Sequence, residues 1–119
     1  SRRVAKQDPA TGKLVDQPHF TAEERLSNPA LIDTVHLDLA ATGAVVTERT
    51  TGTKLSLHIG NGKTPSAGTS VLTWSEKPEA PFYCVEPWMG PPNAPANGLG
   101  VHLVEPGQTQ RFVVEVTLR

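Results

Sequence analysis

The sequence lacks the features that are typical of disulfide-rich, nucleic-acid-binding or membrane proteins. Its only cysteine is Cys84, which excludes an internal disulfide framework and leads us to expect a cytoplasmic location. Eleven basic and twelve acidic residues give a net charge of -1, without the electrostatic signature of a protein that binds nucleic acid or anionic membranes. No apolar run approaches the ~20 residues that span a bilayer, and no signal-peptide pattern is present. We therefore expect one globular domain that binds neither nucleic acid nor membrane.

Metal-binding and phosphate-binding motifs are absent as well. The four histidines and the single cysteine lack the spacing of zinc ligands, and no helix signal follows the glycines at Gly60 and Gly62. His36 and Asp38 share one face of a predicted strand and could in principle bind a metal, but a polar, solvated face explains them as well. We expect no metal and no cofactor.

Short alternating segments, separated by many of the 11 prolines and 10 glycines, dominate the chain. A period of two predicts strands, and six or seven of them at short spacing are typical of an antiparallel β-sandwich. Alternation predicts strands over 34–39, 54–59 and 111–118, β-branched residues predict one over 44–50, and short apolar runs predict strands over 71–74 and 82–86. A further strand is predicted over 101–104. The fold class expected is mostly β, with a last hairpin that joins 101–104 to 111–118 through the turn at Pro106-Gly107.

The N-terminal part of the chain has a different pattern. Residues 1–20 lack a sustained apolar period and are predicted to form an extended arm or connection, ahead of a β domain over residues 21–119. Thr21 and Glu24 have the spacing of a capping box, and Asn28-Pro29 limits the helix that would follow to about two turns. One short helix near the N-terminus is therefore expected.

A carboxylate stands at the end of an apolar segment in Pro81-Phe82-Tyr83-Cys84-Val85-Glu86-Pro87-Trp88. Burial raises the pKa of a carboxyl group, which suits proton transfer near neutral pH, and a tryptophan offers a flat face on which a sugar ring stacks. A solvated glutamate at a strand end, beside a core tryptophan, is the alternative that the residues alone leave open.

The same segment resembles the C-terminal motif of the aldose 1-epimerases, the galactose mutarotase-like family. The resemblance rests on Tyr83 to Trp88, followed by Gly90, Asn93-Ala94 and Asn97-Gly98. Two further pieces occur in the family's order, since Val71 to Trp74 resembles the preceding strand and Leu103 to Thr109 resembles the closing turn. The match runs from about Leu31 to Arg119 and covers about the last third of such a protein.

The resemblance implies a large antiparallel β-sandwich, a supersandwich, that interconverts the α and β anomers of a free hexose. Glu86 matches the family's general base, which takes the proton of the C1 hydroxyl while a histidine protonates the ring oxygen. Trp88 and Asn93 are candidate sugar-binding residues, and Asp33, or alternatively Asp38, is a candidate for the family's sugar-orienting aspartate.

The family's acid histidine lies upstream of the glutamate segment, and none of His19, His36, His58 and His102 matches it. We therefore expect a second polypeptide, equivalent to the N-terminal portion of the fold, to complete the enzyme. A strand set without that portion would expose sheet edges and apolar surface. A non-catalytic carbohydrate-binding β-module and a purely structural domain are the alternatives.

Overall fold

The computed structural model describes residues 1–20, 23–60, 62 and 64–119. Over these residues the chain is mostly β, as predicted, with eight strands in two antiparallel sheets. The strands are β1 (Arg3–Gln7), β2 (Leu14–Gln17), β3 (Thr34–Leu37), β4 (Gly43–Thr47), β5 (Lys54–Ile59), β6 (Ser70–Trp74), β7 (Cys84–Trp88) and β8 (Val114–Leu118). Two short helices are described, a 3₁₀ helix over Pro29–Leu31 and α1 over Ala94–Asn97. Neither of these has the length and apolar character needed to cross a bilayer.

The large sheet has the strand order β2-β1-β3-β6-β7, so that β3 is central and β7 is an edge. The predicted alternation in β3 is confirmed, because Val35 and Leu37 are both buried. With Ala5 of β1 they form a core cluster against which half-buried leucines pack, including Leu72 and Leu99. Each fully buried aliphatic side chain of this kind contributes about 1.5–3 kcal/mol to folding.

The small sheet has the order β4-β5-β8. The turn predicted between β4 and β5 is present, and the carboxylate of Glu48 organises it. Glu48 accepts hydrogen bonds from the hydroxyl of Thr51 and from the backbone N–H groups of Thr50 and Thr51. These bonds, the Thr51 hydroxyl first among them, lower the pKa of Glu48 to about 2. Gly52 supplies the positive φ of 76° that this turn needs.

Residues of both sheets line one cavity of about 190 Å³. It is lined from the large sheet by His36, Val71, Thr73 and Val85, and from the small sheet by Ala44 and Val46. The prediction of a solvated polar face on β3 is therefore wrong, since Thr34 is fully buried and His36 is half-buried. The reason is that other segments cover this face of β3: the hydroxyl of Thr34 donates to the carbonyl oxygens of Ala30 and Ile32, and the ring of His36 lies 5.8 Å from that of Phe20. Asp38, beyond the end of β3, is exposed.

Residues 1–20, for which an arm or connection is predicted, contain a β-hairpin that joins the large sheet. β1 pairs with β2 on one side and with β3 on the other. Asp8 closes the hairpin turn, because its carboxylate accepts hydrogen bonds from the N–H of Ala10 and the hydroxyl of Thr11. The buried part is only Val4 and Ala5, which is too short to give a periodic signal in the sequence.

The helix expected from Thr21 differs from what the structure contains. Thr21 itself lies outside the described residues, and the continuation over residues 23–28 holds no helix. Instead, the 3₁₀ helix begins at Pro29, the residue expected to end one. Asn28 caps this helix by accepting a hydrogen bond from the N–H of Ala30 at 3.0 Å. Proline is well suited to the first turn because the N–H that it lacks would have no helical partner there.

The predicted C-terminal hairpin is wrong. Its turn at Pro106-Gly107 is present, but residues 101–104 form no strand and β8 pairs with β5. The register explains the choice, because Val114 and Val116 of β8 lie opposite Ile59 and Leu57 of β5 and extend an apolar row.

Three glycines let distant loops cross at van der Waals distance beside the end of β7. A Cβ atom on Gly68 would lie 2.5 Å from the Cα of Gly100, and one on Gly100 would lie 2.6 Å from Cδ of Pro91. A Cβ on Gly90 would overlap the carbonyl of Gly100. The crossing therefore fixes the segment that follows β7 against residues 100–102.

Candidate functional site

Glu86 and Trp88 lie on one face of β7, since residues two apart on a strand point to the same side. The strand was expected to end at Glu86, but it continues through Pro87, which lies opposite Val71 of β6. This is possible because β7 is an edge strand, where a residue without an N–H group is tolerated. The continuation places the tryptophan beside the carboxylate on a regular strand.

Glu86 is the last residue of a row of side chains that runs across the strands of the large sheet and belongs mainly to the core. Glu86 is opposite Leu72, Leu72 is opposite Val35, and Val35 is opposite Ala5, so all four side chains share a face of the large sheet. Glu86 is half-buried, whereas the other three are buried or packed against the core cluster. The row is therefore apolar except for the carboxylate of Glu86, which lies on the edge strand β7.

The indole of Trp88 is hydrogen-bonded to that ionisable group. Its Nε1–H donates to Oε2 of Glu86 at 3.2 Å. Trp88 is 38% exposed, so an aromatic surface remains open to solvent next to the carboxylate. A proton acceptor beside an exposed aromatic face can take a hydroxyl proton from a ring that stacks on the indole.

The asparagines that follow β7 connect it to the N-terminal hairpin. Asn97 accepts a hydrogen bond from the N–H of Leu14 at 2.9 Å, and its amide nitrogen lies 3.1–3.4 Å from the carbonyl oxygens of Gly12, Pro92 and Asn93. Asn93, a candidate sugar-binding residue, donates to the carbonyl of Gly12 at 3.3 Å and has a left-handed backbone. Its side-chain amide nitrogen is thus used within the protein.

The candidate aspartates lie on turns away from β7. Asp33 is exposed, has a φ of 57°, and immediately precedes β3. Asp38 is also exposed, with a φ of 47°. In the large sheet β6 lies between β7 and β3, the strand that Asp33 precedes. A sugar-orienting role for Asp33 stays a prediction.

The histidines are placed elsewhere or are engaged with other groups. His36 follows Val35 on β3 and therefore points to the face opposite Glu86. Its Nε2–H donates to the hydroxyl of Thr73 at 3.0 Å, because that hydroxyl gives its own proton to the carbonyl of Leu31 at 2.8 Å. Burial, together with the amino group of Ser1, lowers the pKa of His36 to about 4. Its ring is neutral at pH 7.

His102 lies close to β7 in space, but both of its ring nitrogens are occupied. Nε2 is 2.7 Å from the carbonyl oxygen of Met89, and Nδ1 is 3.1 Å from Nε2 of Gln110. His19 and His58 are exposed, the latter on the small sheet. Among the described contacts, no imidazole is hydrogen-bonded to Glu86.

Trp74 lies on the same face of the large sheet as Leu72 and Glu86, and its ring packs against that of Phe82, with centroids 5.7 Å apart. Within the part of the chain that the structure describes, no three histidine, cysteine or acidic side chains come together as metal ligands.

Two features of the site were missed from the sequence, the glycine crossing and the contact of His102 with Met89. Glycines in loops indicate turns equally well, and a lone histidine between Val101 and Leu103 indicates nothing about its partner. Both features depend on contacts between segments that are far apart in the chain.

Comparison with protein families, with curated proteins and with solved structures finds no match to this chain.

Proposed function

We propose that the protein is an aldose 1-epimerase that interconverts the α and β anomers of a free hexose, with Glu86 as general base. The observation that supports this most directly is the pair of Glu86 and Trp88 on one face of an edge strand, joined by a hydrogen bond of 3.2 Å. The resemblance of the surrounding motif to the galactose mutarotase-like family supports the same function.

The proposed reaction is a pair of proton transfers. Glu86 takes the proton of the C1 hydroxyl while an acid protonates the ring oxygen, so that the bond between C1 and the ring oxygen breaks and an aldehyde forms. Rotation about the C1–C2 bond presents the other face of the carbonyl to the ring hydroxyl. The hydroxyl then attacks that face, its proton returns to the acid's conjugate base, and Glu86 returns its proton to O1. Each positioned proton-transfer group contributes about 10²–10⁴-fold in rate.

The acid is proposed to be a histidine of a second polypeptide that corresponds to the N-terminal portion of the fold. Three observations on the described histidines support this. His36 faces the opposite side of the sheet from Glu86, His102 has both ring nitrogens engaged, and His58 is on the small sheet.

Exposed apolar side chains on β8 support the same partner. Leu57 of β5 is buried, whereas Val116, which lies opposite it on β8, is 60% exposed, and Leu118, opposite the half-buried Leu55, is 70% exposed. The exposed apolar side chains of β8 thus extend the buried apolar face of β5, as we expect if further strands pack over β8. We propose that the two sheets are part of a larger β-sandwich of the mutarotase type, located in the cytoplasm.

Polarimetry on freshly dissolved α-glucose and α-galactose tests the function, with the protein purified together with any polypeptide that accompanies it. The wild type should accelerate the approach to the equilibrium rotation, and Glu86→Gln should lower that acceleration by at least about 10²-fold because an amide cannot take the proton. Glu105→Gln is the matched control, since Glu105 is an exposed glutamate of the turn near Pro106. Equal activity in the wild type and in Glu86→Gln would remove the proposed role.

A non-catalytic carbohydrate-binding module is the second candidate. It is favoured by the exposed indole of Trp88 together with the lack of an imidazole bonded to Glu86 in the described contacts. In that case the wild type would bind hexoses without accelerating mutarotation, and Glu86→Gln would only weaken the affinity.

A further inference from the structure

The carbonyl of Met89 is the first backbone acceptor beyond the ladder of β7. The last pair of that ladder joins Trp88 to Ser70, and β7 is an edge strand among the described strands of the large sheet. Pro87 further weakens the restraint on this end, because it has no N–H group to donate. The orientation of Trp88 therefore depends on what holds the residue after it.

His102 supplies that restraint. Its Nε2 lies 2.7 Å from the Met89 carbonyl oxygen, which is the short end of the range for such bonds. A carbonyl oxygen can only accept, so Nε2 carries the proton. Nδ1 is then an acceptor, and the amide nitrogen of Gln110 donates to it at 3.1 Å. The two contacts fix one tautomer of the ring.

The glycine crossing brings His102 within hydrogen-bonding distance of the Met89 carbonyl. Gly90 directly follows Met89, and Gly100 is two residues before His102. A side chain on either glycine would overlap the opposing backbone, so no larger residue allows the two segments to lie this close. His102 is half-buried where they cross, so the bond to Met89 is partly shielded from water.

We propose that His102 is a positioning residue, which holds the Met89 carbonyl and thereby keeps the indole of Trp88 on the Glu86 carboxylate. It does not donate a proton to substrate, because both ring nitrogens are already paired. An effect of His102 on the rate of mutarotation rests on the proposed function, whereas its effect on the position of Trp88 does not. A displacement of about 1 Å caused by a change away from the reacting atoms can lower a rate by about 10²-fold.

The variants are His102→Leu, which removes the donor, and His102→Gln, whose side-chain amide can donate from a similar position. His58→Leu is the matched control, because it removes an exposed histidine from the small sheet. The primary measurement is the indole N–H resonance of Trp88 in a ¹H–¹⁵N spectrum, assigned with Trp88→Phe. His102→Leu should shift or broaden this resonance by more than its linewidth and leave that of Trp74 in place, and His102→Gln should largely restore it.

Mutarotation is the second measurement. We expect His102→Leu to lower kcat by about tenfold or more with a smaller change in KM, and His102→Gln to recover most of the loss. If the Trp88 resonance responds as described but the wild type has no mutarotase activity, the positioning role stands and the proposed function fails. An unmoved Trp88 resonance in folded His102→Leu overturns the positioning role.

If His102→Leu does not fold, Gln110→Leu is the variant that tests the positioning role. Gln110 is exposed, and its amide nitrogen contacts Nδ1 of His102, the ring nitrogen that is not bonded to Met89. Gln110→Leu should move the Trp88 resonance in the same direction by a smaller amount, and an unchanged resonance would again overturn the inference. The ¹⁵N shifts of the wild-type ring give a direct check. They should identify a proton on Nε2, and a proton on Nδ1 alone contradicts the proposed bond.

Discussion

The side chain of Asn97 accepts a hydrogen bond from the backbone N–H of Leu14 at 2.9 Å, across 83 positions of the sequence. Through this bond and those of its amide nitrogen, the segment that follows β7 is attached to the N-terminal hairpin. The candidate base and the first strands of the chain are thus parts of one structure.

We expect Asn97→Ala to lower the free energy of unfolding by about 1–3 kcal/mol, because a half-buried N–H group loses its partner. Asn97→Asp keeps the acceptor for Leu14 but loses the amide donors, so its effect should be smaller. Urea denaturation followed by circular dichroism measures both, with exposed Gln108→Ala as control. A loss in Asn97→Ala no greater than in the control would show that the attachment adds no stability.

The glycine crossing can be tested with two glycines that have similar backbones. Gly100 and Gly107 have φ values of 66° and 79°, but only Gly100 has atoms where a Cβ would lie. Gly107→Ala should cost about 1 kcal/mol for the left-handed backbone alone. Gly100→Ala should cost about 1–3 kcal/mol more, because it also overlaps Pro91.

The two alanine variants are compared by the same denaturation measurement, so that the difference between them isolates the steric contribution. If they are equally stable, the close approach of the loops does not restrict position 100.

His36 should make stability depend on pH. Its pKa in the folded protein is about 4, below the ordinary value of 6.5, because burial disfavours the charged ring. Between these two values the unfolded chain binds more protons than the folded one. Stability is therefore complete above pH 6.5 and falls as the pH is lowered from 6.5 towards 4, by about 1–3 kcal/mol for a partly exposed ring.

Urea denaturation at several pH values from 7 to 4.5 checks this dependence. His36→Leu should flatten the dependence, whereas His58→Leu, which changes an exposed histidine, should leave it as in the wild type. A wild-type slope retained in His36→Leu would mean that other groups cause the loss.

The exposed apolar row on β8 predicts association. We expect the chain in native gel filtration to elute with a second polypeptide or in a larger species, because Val116 and Leu118 leave apolar surface in water. Val116→Lys should reduce this association, while Thr117→Lys on the opposite face of β8 should not. A well-behaved monomer of one chain would contradict the need for a partner.

Three of the five strands of the large sheet were predictable, β3 from alternation and β6 and β7 from short apolar runs. In β3, Val35 and Leu37 are apolar and buried, as their spacing predicts. The same reasoning failed for His36, because a polar residue on the other face indicates water only if no other segment covers it, and the ring of Phe20 lies against His36. Glu86 was found as a candidate base through a local motif, whereas its contact with Trp88 required the strand to continue past Pro87.

The sequence by itself determined the β-rich class, most of the strands and the turn between β4 and β5, since alternation and turn residues act over a few neighbouring positions. Only the tertiary structure decided that β8 pairs with β5, that residues 3–17 join the large sheet, and that His102 reaches Met89. These outcomes depend on which apolar rows and which backbones can approach one another across the chain. That approach is governed by register, by the size of the side chains and by the removal of apolar surface from water, none of which acts within a local stretch of residues.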